Sequence, residues 1–182
     1  MKPSHVLLPI LAASFLVALP ASAQEVRYGF QATLAKPEGD LSTAMDGKVG
    51  LGLGIHALID LKGGHALVPR LDYTTYKHSL NGLDESVKVL SLGADYNYFT
   101  GGKANAGLYL LGGLGYASTK DELSYPGGSA QETKGSLYVN LGAGWDFNTH
   151  VGAEIRYNHS TISESTGSIS APSVQASLVI RF

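Results

Sequence analysis

The sequence has no cysteine, so neither a disulfide framework nor a thiolate metal centre can hold this chain together. Charge is sparse, with 15% Asp, Glu, Lys and Arg. Of the 13 basic residues, Lys2 lies in the leading segment, so 12 face 15 acidic residues beyond it, a net charge near −3. That balance offers no electrostatic footprint for nucleic acid. Beyond residue 23 no apolar run approaches the roughly 20 residues of a membrane-crossing helix. Methionine and tryptophan are scarce, whereas glycine (23) and tyrosine (10) are frequent, a composition that suits strands better than helices.

The first 23 residues read as an export signal. Lys2 supplies a positive start, an apolar run follows from Val6 to Leu19 broken only by Pro9 and Ser14, and Ala21-Ser22-Ala23 forms a small-residue cleavage site. The run is too short to span a bilayer. Cleavage after Ala23 is expected, leaving residues 24–182 as one domain.

That domain returns repeatedly to a period of two. Val26, Tyr28, Phe30, Ala32 and Leu34 share one face. So do Leu51, Leu53 and Ile55 from Val49 onward, then Leu67, Leu71 and Tyr73, then Leu90, Leu92, Tyr96 and Tyr98. The pattern continues through Leu108, Leu110, Leu114 and Tyr116, then Leu137, Val139, Leu141 and Trp145, then Val151, Ile155 and Tyr157, and last Val174, Leu178, Ile180 and Phe182. Eight strands of roughly 10 to 13 residues are predicted, close to the length a tilted strand needs to cross hydrocarbon. Soluble strands average nearer 5–6 residues. Pro69 falls inside the third strand and cannot donate a ladder hydrogen bond, so a bulge or a late strand start is expected there.

Connections alternate in length. Short turns fall at Lys62-Gly63-Gly64, Thr100–Lys103 and Asn148-Thr149-His150, and longer polar segments at 36–47, 78–86, 118–134 and 160–172. Short periplasmic turns, long outer loops and an even strand number mark a transmembrane barrel, with both termini on the short-turn side. A lipid-exposed sheet must close on itself, because an open edge would leave backbone groups unpaired. The fold expected is therefore all-β, an eight-stranded antiparallel up-and-down transmembrane barrel. Tyr28, Tyr96, Tyr98, Trp145, Phe147 and Phe182 would form a periplasmic aromatic girdle, and Tyr73, Tyr116 and Tyr157 an outer one.

The opposite face carries the strand charges: Arg27, Lys48, Asp60, Arg70, Asp72, Asp95, Asp146, Glu154, Arg156 and Arg181, with His56 beside them. An eight-stranded barrel is only wide enough for side chains to fill it. Buried charges of both signs must pair there, so a salt-bridged plug is expected, with a narrow porin as the alternative. The glycine runs 50–54 and 112–115 lack the Lys-Ser/Thr and following helix of a phosphate-binding loop. They read as space on a crowded inner face. Histidines are scattered without metal-ligand spacing, so neither metal nor cofactor is expected.

Three stretches carry a family likeness: Gly93-Ala94-Asp95-Tyr96-Asn97-Tyr98-Phe99, Leu141-Gly142-Ala143-Gly144-Trp145-Asp146-Phe147 and Leu178-Val179-Ile180-Arg181-Phe182. With the strand pattern they resemble the opacity-protein/OmpA-like family of small outer-membrane β-barrels. The resemblance implies residence among outer-membrane lipids and lipopolysaccharide as a monomer. It also implies recognition of the C-terminal strand ending in Phe182 by the outer-membrane assembly machinery. Four outer loops would serve adhesion or envelope integrity through a host or surface ligand, without enzymatic activity. Segment 118–134 is the longest of these loops.

One alternative is enzymatic. Arg156-Tyr157-Asn158-His159-Ser160-Thr161 resembles the His-x-Ser motif of barrel lipid A 3-O-deacylases, which would make His159 the base, Ser160 the nucleophile and Glu164 the orienting acid. The match is incomplete. Thr161 stands where serine is required, and in a regular strand Ser160 points away from His159.

Overall fold

The computed structural model describes residues 25–80, 83–125, 128–164 and 167–182. The segment read as an export signal lies outside these residues. The strands are β1 (Val26–Pro37), β2 (Gly50–Lys62), β3 (His65–Leu80), β4 (Leu83–Phe99), β5 (Gly107–Tyr125), β6 (Gly128–Asp146), β7 (Val151–Glu164), β8 (Gly167–Ser170) and β9 (Ser173–Arg181). One short helix, α1 (Gly39–Ala44), joins β1 to β2.

Each strand pairs antiparallel with its neighbour in sequence from β1 to β7. β9 then lies between β7 and β1, from Val151↔Ile180 to Asn158↔Ser173 on one side and from Gly29↔Arg181 to Pro37↔Ser173 on the other. The ladder thus closes into a ring of eight strands. β8 pairs with the far end of β7, ahead of β9, and Ala171-Pro172 interrupts the line between them. Proline has no N–H to continue that ladder. Its carbonyl instead accepts a hydrogen bond from Glu38 N at 2.9 Å.

Alternation sets the two faces of the wall. On β1, Tyr28, Phe30 and Leu34 point outward and Gly29, Gln31, Thr33 and Ala35 point inward. Leu137, Leu141 and Leu114 are the extreme case on the outside, at 74%, 70% and 69% exposed. A continuous outer surface of leucine has no place in water and is the expected coat of a wall in hydrocarbon.

The inside is layered. At the end holding both termini, Leu58, Ala66, Val68, Phe99, Tyr109 and Leu111 pack into an apolar cluster with Ala104 against it. At the other end Ala35, Met45, Tyr76 and Val87 form a second cluster, with Leu41 of α1 and Val89 packed on it. The Arg70, Asp72, Asp95, Glu154 and Arg156 side chains lie between these two caps. Space for the inward side chains comes from glycine: a Cβ on Gly144 would strike the hydroxyl end of the Tyr109 ring, and one on Gly113 would strike Asp95.

Several expectations are corrected. The described residues of segments 78–86 and 118–134 are strand rather than loop: β3 and β4 run on past the barrel rim, as do β5 and β6. Their outer parts are wet on both faces, so the apolar alternation that marks a strand is missing there. Segment 160–172 likewise holds the end of β7 and all of β8. Segment 36–47 contains α1, whose Leu41 and Met45 fall on one face, but one turn and a half is too short for helical periodicity to stand out. The turn expected at Thr100–Lys103 extends to Ala106, with Asn105 at φ 61°. β3 begins at His65 and passes through Pro69 without a late start. The ladder to β2 skips two pairs between His56↔Arg70 and Ile59↔Leu67, around Pro69, and the register shift falls between Asp60 and Lys62.

Replacing Gly144 by Val is expected to drive a branched side chain against Tyr109 and lower stability by about 1–3 kcal/mol. Urea unfolding of the detergent-refolded barrel, followed by Trp145 fluorescence, checks this.

Candidate functional site in the barrel lumen

Arg70 is the hub of the middle layer. It rises from β3 into the barrel, where alternation turns it inward and the closed wall removes it from water. Its Nε donates to Asp72 Oδ2 at 2.7 Å and its Nη1 to Asp95 Oδ2 at 2.6 Å, with Glu154 Oε1 at 3.5 Å. Arg156 joins from β7, pairing with Glu154 and lying 3.4 Å from Asp95 Oδ2. Neutral groups take up further lone pairs. Gln31 Nε2 donates to Asp72 at 2.8 Å, Asn140 Nδ2 to Asp95 at 2.9 Å and the Tyr109 hydroxyl to Glu154 at 3.1 Å. Two guanidinium groups and three carboxylates from β3, β4 and β7 thus form one connected network across the lumen. An ion pair this deep is held by geometry and by its extra hydrogen bonds, since desolvation offsets most of the Coulomb attraction.

A second pair closes the terminal end. Arg181 Nη1 donates to Asp146 Oδ1 at 2.6 Å and to Asn105 Oδ1 at 3.0 Å, with its guanidinium 5.9 Å from the Tyr109 ring centroid. Asn105 in turn donates to the Thr149 carbonyl at 2.7 Å. The 100–106 turn is thereby folded across the barrel mouth. Nothing in the sequence singles out Asn105 except that asparagine tolerates a left-handed backbone.

Not every expected interior charge joins. Arg27 sits at the rim and donates through Nε to Glu25 at 2.6 Å. Lys48 is exposed between α1 and β2. Asp60 accepts from Lys62 N at 2.7 Å at the end of β2. All three lie at the ends of the ladder, where water reaches both faces and alternation no longer means burial. His56, by contrast, is buried over Gly29, in a row with Arg181 on β9 and Arg70 on β3. The sequence also left Phe99 without a role. It packs on Tyr109 with ring centroids 4.8 Å apart, and its parity opposite Tyr98 was the available signal.

The outer half of the lumen holds a cavity of about 250 Å³ between the network and α1. Tyr76, Thr74, Thr119, Tyr138, Asn158 and Arg156 are among its walls, and Leu41 lies over it. Ser160 also faces this cavity, donating to the Ala171 carbonyl at 3.1 Å. His159 pairs in the ladder with Val139 on the outward side, so the wall separates it from Ser160. The side chain of Glu164 lies outside the described residues. A base and nucleophile on opposite faces of one strand cannot share a proton, which removes the arrangement on which the deacylase alternative rested.

The outward aromatics are all exposed. Tyr28, Tyr96, Tyr98, Trp145, Phe147 and Phe182 lie toward the end with the termini, and Tyr73, Tyr116 and Tyr157 toward the other. Above the latter, Glu122 accepts from Lys88 and lies 2.6 Å from the Lys120 ammonium. Lys120 first and Lys88 second hold its carboxyl down at about 2.

The sequence matches a family model described as the outer membrane protein beta-barrel domain over residues 9–182. Three solved structures share the fold. Ail, the attachment invasion locus protein of Yersinia pestis, solved with the heparin analogue sucrose octasulfate, is 16% identical, with TM-score 0.62 over 87% of this chain and 99% of its own. Neisserial surface protein A is 17% identical, with TM-score 0.62 over 88% and 100%. The N-terminal β-barrel domain of Pseudomonas aeruginosa OprF is 13% identical, with TM-score 0.63 over 87% and 99%. A sequence search of curated proteins gives no match.

Truncating Arg70 to Ala removes the guanidinium paired with Asp72 and leaves Arg156 alone against Asp95 and Glu154, and is expected to cost about 3–5 kcal/mol, whereas Arg27→Ala at the rim costs below about 1. Urea midpoints of the two variants in the same detergent test the contrast.

Proposed function

The chain belongs to the outer membrane protein beta-barrel domain family, and we propose that this bacterial outer-membrane protein is a closed, non-enzymatic anchor that displays a sheet edge to the outside. The observation that carries this reading is the uneven rim. β3, β4, β5 and β6 continue beyond the ring as a four-stranded sheet. β7 accompanies β6 only as far as Tyr138↔Ser160. Beyond that pair no strand among the described residues lies along β6 on the side away from β5, from Gly128 to Leu137. A strand edge of this length is a template for an incoming extended segment, which main-chain hydrogen bonds would hold. An adhesive partner presenting its own strand edge fits it. In this reading the surface is carried by the extended sheet and by the α1 and β7–β8 connections beside it.

Three layers support a closed lumen: the apolar cluster around Phe99 and Tyr109, the Arg70 network, and α1 seated over the outer end. A closed ladder leaves no edge within hydrocarbon, which supports a monomer in the membrane. β9, alternating and followed by Phe182, is the segment offered to the assembly machinery. In the same reading residues 1–23 are the export signal, and the intact mass of the membrane form should correspond to a chain starting at Gln24.

Two measurements test the main claim. Planar-bilayer recordings of the pure barrel are expected to show no stable large openings, and their appearance would overturn the closed lumen. Deleting Asp121–Lys134 shortens the β5–β6 hairpin to the barrel rim. The shortened protein should keep heat-modifiable gel mobility yet lose cell-surface attachment, and attachment at the full level would defeat the sheet-edge reading.

A further inference from the structure

Two lysines face each other across the outer wall. Lys88 on β4 is directly opposite Lys120 on β5, and Lys77 stands on the adjoining β3 opposite Ser86. All three share the outward parity of Tyr73, Leu90 and Tyr116. Like charges directly opposite in a ladder are destabilising, and nothing in closing the barrel requires them here. A single carboxylate answers them: Glu122 lies 2.6 Å from the Lys120 ammonium, accepts from Lys88, and takes a further hydrogen bond from Ser86 Oγ at 3.3 Å. Among the described side chains, three ammonium groups against one carboxylate leave the patch positive.

Its height decides what meets it. Lys88 lies two residues beyond Leu90, the ladder partner of Tyr73 in the outer girdle. At about 3.4 Å per residue this is roughly 7 Å along the strand. Outward side chains just above an aromatic girdle stand among lipid headgroups rather than acyl chains or bulk water. The groups of opposite charge at that depth are phosphates.

We propose that Lys77, Lys88 and Lys120 form a docking site on the outer wall for the phosphates of an outer-leaflet glycolipid headgroup. Glu122 holds the two facing ammonium groups together and sets the site's net charge. The site rests on the outer-membrane placement of the chain and is independent of the closed lumen and of the β6 edge. Its failure would leave both of those claims standing, and theirs would leave it untouched.

The test uses the folded barrel in phosphatidylcholine nanodiscs doped with bisphosphorylated lipid A, with bound lipid counted by native mass spectrometry after release into detergent. The wild-type protein should retain this lipid about tenfold better than its dephosphorylated form, with the preference fading as salt rises. K88Q/K120Q should remove the preference, and E122Q should increase it. Heat-modifiable mobility verifies that each variant is folded, and the salt dependence of the wild-type protein alone carries the test if one is not. Equal retention of both lipids by the wild-type protein overturns the proposal. So does an unaltered preference in K88Q/K120Q, a loss in E122Q, complete displacement by millimolar inorganic phosphate, or equal retention of phosphatidylglycerol.

Discussion

In hydrocarbon a backbone amide has no water to pair with, so the seam between β1 and β9 is the constraint on which the structure depends. Nine residue pairs, from Gly29↔Arg181 to Pro37↔Ser173, join the two ends of the chain. Without them both terminal strands would expose a row of unpaired groups to lipid, at several kcal/mol each. Closure also settles how many strands the wall has, and that number settles how wide it is.

A ring of eight leaves an interior little wider than the side chains that line it, so most of it has to be packed like a soluble core while carrying the polar face of every strand. The chain meets this in layers. Aromatic and aliphatic groups pack at the end holding both termini, and their bulk is accepted because glycines such as Gly144 stand behind them. In the middle, two arginines lie among three carboxylates, with Gln31, Asn140 and Tyr109 taking up remaining hydrogen bonds, and Arg181 pairs with Asp146 toward the terminal end. The network ties β3, β4, β6 and β7 across the lumen as well as around the wall. The interior is thus a cross-brace between strands that are far apart around the ring.

Much of this was legible in the alternation. The outward positions of Leu51, Leu114, Leu141 and Tyr157, the inward ones of Arg70, Asp95, Glu154 and Arg181, and the ring of eight all follow from a period of two combined with alternating connection lengths. The pattern failed where its physical basis fails. In 128–134 both faces are wet, so a strand looks like a loop. Lys48 and Asp60 keep an inward parity at places where the wall no longer separates inside from outside. His159 and Ser160, adjacent in sequence, resembled a reactive pair, but neighbours in a strand look opposite ways.

The sequence by itself determined the class of fold and the face of nearly every wall residue, because a strand in a bilayer must alternate and a sheet in a bilayer must close. Only the tertiary structure decided which charges meet. Arg70 and Asp95 are 25 residues apart and Arg181 and Asp146 are 35 apart, so their pairing depends on register and on strand tilt. It likewise decided that Asn105 bridges the barrel mouth, that α1 roofs the lumen, and that Lys88 stands opposite Lys120. These are contacts between strands and turns whose relative heights exist only after the ring has closed.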